Sequence, residues 1–477
     1  MPTHWRLLAA LLTLSPSVVN AQTGPSEPAA PEAPVTMEVA AQFLGTYVTF
    51  QELDQLIISR HANSELGRET RLFMLKMRLV ESLAQELGVT ATEDELQSML
   101  DDVEKDVRKE GRASSIERYL EIKGVPRDEF LESLRLAILQ QKLARRGLGI
   151  PEGKPVSGEQ QEMWLDARIS ERGLEELPAP WNDNLVLRNG NVVLLRDEYI
   201  PFLRERLDPD VIQAMLIDML RVKRMRARMP DLDPKALNQA LESEIEGRRA
   251  EVAKDAKYKG LAYEQLLASQ GILVESWKQD PNIVLAALAR LWVQRNHDDQ
   301  SLRAVYENER AYFDAEFGEA LEASACFLRA AEIPNDLIPD DHDSAERKLL
   351  EIARTIKNKA DFVKAVNLRS QDRKSRERNG VLGWVTRTGT SGPSPARSAL
   401  FEALDSERFK PTDPADSITR MIGPVRTDSG VLLLWVGQRR PKPSWTTMMV
   451  YVHRTLRERF ITEAVDAELV VTYLQPE

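Results

Sequence analysis

The densest group of ligating side chains in this sequence is Asp340-Asp341-His342-Asp343, directly ahead of a helical stretch. Three carboxylates beside an imidazole would suit a hard divalent cation, which takes oxygen ligands. The same residues suit a solvated loop and a helix cap, because Asp accepts from the free N–H groups of a first turn. The second reading is preferred and no metal is expected. His61, His297 and His453 lack metal-ligand spacing. Cys326 is the one cysteine of the chain, so no internal disulfide can form. Its neighbours Ala323, Ala325, Phe327 and Leu328 are small or apolar, which favours a buried thiol over a nucleophile. No Gly-rich phosphate loop and no G-x-S-x-G elbow occurs, and no cofactor is expected. Met215, Met219, Met225 and Met229 recur along a helical stretch from Asp210 to Met229, and Met448-Met449 opens the last helix. Flexible thioethers suit adaptable apolar binding. Core packing is the commoner reason for such spacing.

The elements that would position these residues read as follows. Met1 to Arg6 carries charge, Leu7 to Leu14 is apolar, and Val19-Asn20-Ala21 offers small residues, the order of a secretory signal peptide. Cleavage near Ala21 is expected, giving a periplasmic chain. No Cys follows the site for a lipid anchor, and no later stretch is apolar enough for a membrane helix. Residues 22–36 hold Pro25, Pro28, Pro31 and Pro34 and read as a disordered spacer. Lys and Arg number 64 against 75 Asp and Glu, a net charge of −11 that leaves no footprint for a phosphate backbone and excludes nucleic acid as partner.

From Met37 the pattern turns helical. Leu72, Leu75, Leu79 and Leu83 mark one helix that stops at Gly88; Thr92 with Glu95 and Ser114 with Glu117 read as capping boxes, and Pro126 as a first-turn proline. An internal echo follows. Leu44-Gly45-Thr46-Tyr47-Val48 leads into a helix with Glu52, as Asn189-Gly190-Asn191-Val192-Val193 leads into Glu198. Tyr119-Leu120 ends at Gly124 as Leu266-Leu267 ends at Gly271. The landmarks lie 145 residues apart (190 − 45) and 147 apart (271 − 124), which predicts a duplicated helical module. Beyond Asn296, short strands at Leu321–Leu328 and Val381–Val385, helices at Ser344–Lys357 and Ser398–Leu404, and a hairpin about Asp428-Ser429-Gly430 indicate a small α+β domain.

Six motifs in order resemble the SurA-type and PrsA-type extracytoplasmic foldases, which are built around a parvulin (PpiC-type rotamase) domain. They are Tyr306-Glu307-Asn308, Leu321-Glu322-Ala323-Ser324, Ala360-Asp361-Phe362 with Ala365 and Ser370, Asn379-Gly380-Val381-Leu382-Gly383-Trp384, Phe401-Glu402-Ala403-Leu404, and Gly423-Pro424-Val425-Arg426-Thr427 with Gly430. The resemblance implies an α+β fold: mostly helical chaperone modules, here occurring twice, followed by a small parvulin-like domain. The expected divisions are signal 1–21, spacer 22–36, module one 37–150, connector 151–184, module two 185–318, parvulin-like domain 319–440, and a C-terminal helix and strand, 441–477, packing on a helical module.

The family implies prolyl isomerisation, which meets a barrier of about 20 kcal/mol set by the partial double bond of the X–Pro amide. Parvulins line their pocket with two His, a Cys or Asp, and Met and Phe. Here the first His position falls on Ala325, or on Cys326 if the strand shifts by one, and the second on Leu432. Asp372 could match the Cys/Asp position and Phe401 the Phe, although a loop Asp and a core Phe are the preferred readings of the two. The Met has no clear counterpart; Arg397 lies nearby. The resemblance therefore implies an ATP-independent periplasmic chaperone for unfolded or proline-containing polypeptides, with most isomerase activity lost. An active isomerase with a divergent pocket and a structural adaptor for one fixed partner are the alternatives.

Overall fold

The computed structural model describes residues 38–473 apart from Asn182, Lys259 and Pro411; the expected signal peptide and spacer lie outside the described residues. Internal contacts divide the chain into one unit running to Leu291 and resuming at Phe460, and another spanning Trp292–Arg459.

The first unit opens with a hairpin of β1 (Val39–Phe43) and β2 (Thr46–Thr49). Its two turn residues, Leu44 and Gly45, both have positive φ, the geometry that matches the twist of a two-residue hairpin. Thr49 and Glu52 then form a reciprocal capping box for α1 (Phe50–His61). Helix α2 (Glu65–Leu87) stops at Gly88, whose left-handed φ of 61° costs no Cβ clash. The Thr92–Glu95 box opens α3 (Glu93–Lys109). Helix α4 (Ile116–Lys123) is capped by Ser115, one residue after the expected Ser114, so Glu117 stands too early in the helix to complete a box. Pro126 directly precedes α5 (Arg127–Gly147).

The expected connector 151–184 has secondary structure of its own. It contains α6 (Gly158–Arg172) and β3 (Leu174–Glu176), and it sends Trp164, Leu165, Ile169 and Trp181 into the main core. Its Gly and Pro residues sit at the ends of these elements and mask the apolar pattern between them. Next come β4 (Leu185–Asn189), β5 (Val192–Leu195), α7 (Arg196–Arg206), α8 (Pro209–Ala227), α9 (Pro234–Lys254), α10 (Tyr263–Ser269) and α11 (Pro281–Asn296). The methionines of this stretch do not line a cleft: Met215 and Met225 of α8 and Met229 just beyond it are buried, and Met219 packs against the core.

In the second unit α12 (Asp299–Asn308) and α13 (Arg310–Phe317) precede β6 (Ala320–Arg329), α14 (His342–Thr355), α15 (Lys359–Arg369), α16 (Arg373–Arg376), β7 (Val381–Thr386), α17 (Ser394–Asp405), β8 (Met421–Thr427), β9 (Gly430–Arg440) and α18 (Trp445–Thr462). The strands make an antiparallel sheet in the order β7-β6-β9-β8. Both faces of its central strands are covered, one by α17 and the other by α14 and α15. Helix α18 packs on α12 and α13 through Leu302, Tyr306, Phe313, Met448, Val452 and Leu456, with Phe317 and Tyr451 stacked at 4.4 Å. The compact unit thus joins residues 292–318 and α18 as far as Arg459 to the expected parvulin-like domain 319–440.

The chain ends in β10 (Val471–Thr472), which pairs with β1 and completes a sheet β10-β1-β2. In the same unit β3-β4-β5 forms a second three-stranded sheet with the same hairpin at its far side. The two hairpins exchange helices. Helix α2 packs on β5 and α7, and α8 packs on β2 and α1. Arg78 donates to the Val193 carbonyl at 2.7 Å and pairs with Glu198 at 2.6 Å. Lys223 donates to the Tyr47 carbonyl at 2.8 Å and pairs with Glu52 at 2.7 Å. Glu52 and Glu198 are the third residues of α1 and α7, and both couples of acceptors lie 146 apart (193 − 47, 198 − 52). Among the described residues no helix is long and apolar enough to cross a membrane.

Candidate functional site

Strand alternation decides what faces what on the second unit's sheet. Ala325 (β6) and Leu432 (β9) lie on one face with Phe401 of α17, at 2%, 4% and 4% exposure, in a core that also takes in Ala323, Leu400 and Leu434. Cys326 lies on the opposite face among Leu328, Phe362, Val366, Leu433 and Trp435. Burial pushes its thiol up to about 11, so at neutral pH it is an apolar packing group. The register pairs Ala325 with Leu434 and Phe327 with Leu432, which makes Ala325 and Leu432 diagonal neighbours on adjacent strands.

Gly380 brings β7 against this pair. Its carbonyl accepts from the Ala325 N–H at 2.8 Å, its φ is +82°, and a Cβ there would stand 2.6 Å from the Ala325 carbonyl oxygen. The chain before it is zipped to the end of β6. Gln371 N–H donates to the Phe327 carbonyl at 2.8 Å, the buried Ser370 hydroxyl accepts from Phe327 N–H at 3.1 Å, and the Gln371 side chain accepts from Arg329 N–H at 2.7 Å. Neither Ser370 nor Gln371 stood out as a site residue in the sequence, where Ser370 marks only the end of a helix motif.

Asp372 follows directly and does not supply a buried carboxylic acid. It caps α16, accepting from Ser375 N–H at 3.1 Å, and the Ser375 hydrogen bonds hold its carboxyl below the usual range. The short helix gives the carboxylate free backbone donors, which favour its charged form.

Phe401 has a partner the sequence did not reveal. The Arg387 guanidinium lies 4.5 Å from its ring and is held there by Glu319 and Asp405, each at 2.8 Å. Arg397, on the same helix, ties back to the Gly389 carbonyl and to the Ser394 hydroxyl at 3.2 Å. Arg387 directly follows β7, and a cation at a strand end is too common to single out from sequence.

Chemically this face offers apolar wall and one cation, and the sequence-expected positions bring no imidazole to it. The acidic run is engaged elsewhere: Asp341 caps α14 through Ser344 N–H at 2.7 Å, Asp340 pairs with Lys348 at 2.7 Å, Asp343 pairs with Arg426 at 2.5 Å, and the His342 ring meets the Thr427 carbonyl at 2.9 Å. Among the described residues no group of three or more His, Cys, Asp or Glu side chains gathers as a metal site would require.

Residues 332–436 match the family model of the PPIC-type PPIase domain, or rotamase. The match takes in Asp372, Phe401 and Leu432 and begins after β6, the strand that carries Ala325 and Cys326. A search of curated proteins found no match. Similar solved structures include the peptidylprolyl isomerase PrsA of Bacillus anthracis (12% identity, 53% of this chain and 90% of that one, TM-score 0.22). The foldase PrsA of Streptococcus pneumoniae is another (16%, 58% and 90%, TM-score 0.20). A third is a SurA-like chaperone of Campylobacter jejuni (15%, 51% and 87%, TM-score 0.23).

Proposed function

From the premise that residues 332–436 are a PPIC-type PPIase domain of the SurA/PrsA-type parvulin family, we propose that the chain binds unfolded polypeptide without nucleotide and has lost most of its prolyl isomerase activity. The carrying observation is the face built by Ala325, Leu432 and Phe401. An isomerase must support the twisted amide with hydrogen bonds, against a barrier of about 20 kcal/mol. Two aliphatic side chains at diagonal positions have no hydrogen to donate and no lone pair to accept. Holding polypeptide, unlike accelerating isomerisation, needs no hydrogen-bonding group at these positions. The chain is exported in this reading, supported by Leu7–Leu14 and Val19-Asn20-Ala21.

Two assays on the purified chain test the proposal. Light scattering should show suppressed aggregation of several unrelated denatured proteins without ATP, and capture of only one partner would favour a fixed adaptor. A proline-peptide assay should show isomerisation near the uncatalysed rate. A rate comparable to that of an intact parvulin would overturn the loss of catalysis.

A further inference from the structure

Between β6 and α14 the chain builds a closed finger from Ala331 to Asp340. At its base the Ala331 N–H donates to the Asp340 carbonyl at 3.0 Å. Further out, Asn335 and Ile338 exchange backbone hydrogen bonds of 2.8 and 3.1 Å. The Asn335 side-chain oxygen accepts from Leu337 and Ile338 N–H, both at 2.9 Å, and Pro334 and Pro339 flank the turn. Ile338 is half-buried and anchors the finger. Ile333 and Leu337 project from it at 83% and 89% exposure, the two most exposed large apolar side chains among the described residues. An ordered loop that turns two aliphatic side chains outward forgoes the burial they would otherwise gain.

The charge beside them points to a partner. The run from Ala331 to Asp343 holds five carboxylates and no Lys or Arg. Asp340 and Asp343 are neutralised by Lys348 and Arg426, and Asp341 caps α14. Glu332 and Asp336 adjoin Ile333 and Leu337 in sequence and make no ion pair among the described residues. The finger thus offers two aliphatic tips next to two uncompensated negative charges. A surface of that composition complements an extended segment in which apolar residues alternate with Lys or Arg, and it repels an anionic lipid surface.

We propose that the Ile333–Leu337 finger is a docking element for cationic, apolar stretches of unfolded polypeptide, an inference that rests on the reading of the chain as a polypeptide binder. Selection is by two terms: aliphatic contact sets affinity, and Glu332 with Asp336 set preference for basic segments.

The test uses the full chain and two fluorescent, proline-free peptides of about 12 residues, one alternating Leu with Lys and one alternating Leu with Glu. Binding is followed by anisotropy at low and high salt. The Lys peptide should bind and the Glu peptide bind weakly. The double variant Ile333→Ser/Leu337→Ser should bind the Lys peptide about tenfold more weakly, because two exposed contacts are removed. Glu332→Gln/Asp336→Asn should weaken it severalfold, flatten its salt dependence and, with the repulsion removed, strengthen binding of the Glu peptide. Both pairs are surface residues, so the thermal unfolding midpoint should not move. Wild-type affinity in both variants, with aggregation suppression intact, overturns the finger and leaves the chaperone reading standing. Failure of the wild-type chain to bind either peptide or suppress aggregation overturns both. Co-sedimentation with phosphatidylcholine or phosphatidylglycerol vesicles that depends on Ile333 and Leu337 would assign the finger to a membrane instead.

Discussion

Replacing Gly380 by Ala tests whether the approach of β7 to β6 shapes the candidate site. Two costs add there. The backbone sits at φ +82°, and an L side chain in the left-handed region costs about 1–2 kcal/mol. The new Cβ would also meet the Ala325 carbonyl oxygen at 2.6 Å and two Val366 methyls at 3.1 Å. Ala325 is locked in the β6–β9 ladder opposite Leu434, so β7 must yield, and overpacking of this kind costs about 1–3 kcal/mol more. The total is about 2–5 kcal/mol. Gly383, three residues on and within β7, supplies the control: its φ is +89°, and a Cβ there meets nothing within 4 Å. Gly383→Ala should therefore cost only the backbone part, about 1–2 kcal/mol. Hydrogen-exchange mass spectrometry with urea, read on segments covering β6, β7 and β9, reports the stability of this unit alone. Gly380→Ala should lose protection at clearly lower urea than Gly383→Ala. Equal losses would refute the argument that contact with Ala325, rather than backbone conformation, makes Gly380 necessary.

Other outcomes follow from the same geometry. Asp372→Ala removes the α16 cap and should cost about 0.5–1 kcal/mol at neutral pH, the lower end of the range because the group is largely solvated. Its folded carboxyl titrates below the unfolded value of about 3.9, so that stability is present above this pH and lost as pH falls through the lowered folded value. The difference from wild type should vanish in acid; a difference that grows there sinks the assignment. Cys326 should resist a thiol reagent at pH 8 in the native protein and react in urea, and rapid native labelling would place it on the surface. If the two exchanged hairpins are copies of one module, Arg78→Ala and Lys223→Ala should cost similar amounts, about 0.5–1 kcal/mol each. A large effect from one and none from the other would count against their equivalence.

Local chemistry was readable from the sequence wherever a side chain answers its own backbone. Thr92 with Glu95, Gly88, Gly124 and the Asp428-Ser429-Gly430 turn carry their structural roles in their identities and spacing. Partners across the chain were not readable. Leu75, Leu79 and Leu83 announce a buried face on α2, but nothing in their period says that the face meets β5 rather than the hairpin nearest in sequence. The choice between Ala325 and Cys326 stayed open because a strand register shifted by one residue swaps the two faces, and only pairing with β9 fixes it. Asp372 misled for a related reason. Its position matched a pocket carboxylate, while its direction was set by a four-residue helix that periodicity cannot detect.

The candidate site separates what geometry demands from what catalysis demands. Gly380 is required for strand approach and Phe401 for the core, and both are present. The positions that the family resemblance implies for polar catalytic groups hold Ala325 and Leu432, two aliphatic residues at once. Under the proposed loss of turnover, hydrogen-bond energetics favours such a joint change. Losing one polar partner strands the other in a dry interior at about 1–3 kcal/mol, whereas replacing both leaves no orphan. Asp372 meets the same requirement by another route, spending its lone pairs on the first turn of α16. A pocket under selection for turnover would have kept at least one buried donor aimed at the substrate. In the proposed reading a protein that only holds polypeptide has no use for one, and Ala325, Leu432 and Phe401 supply none.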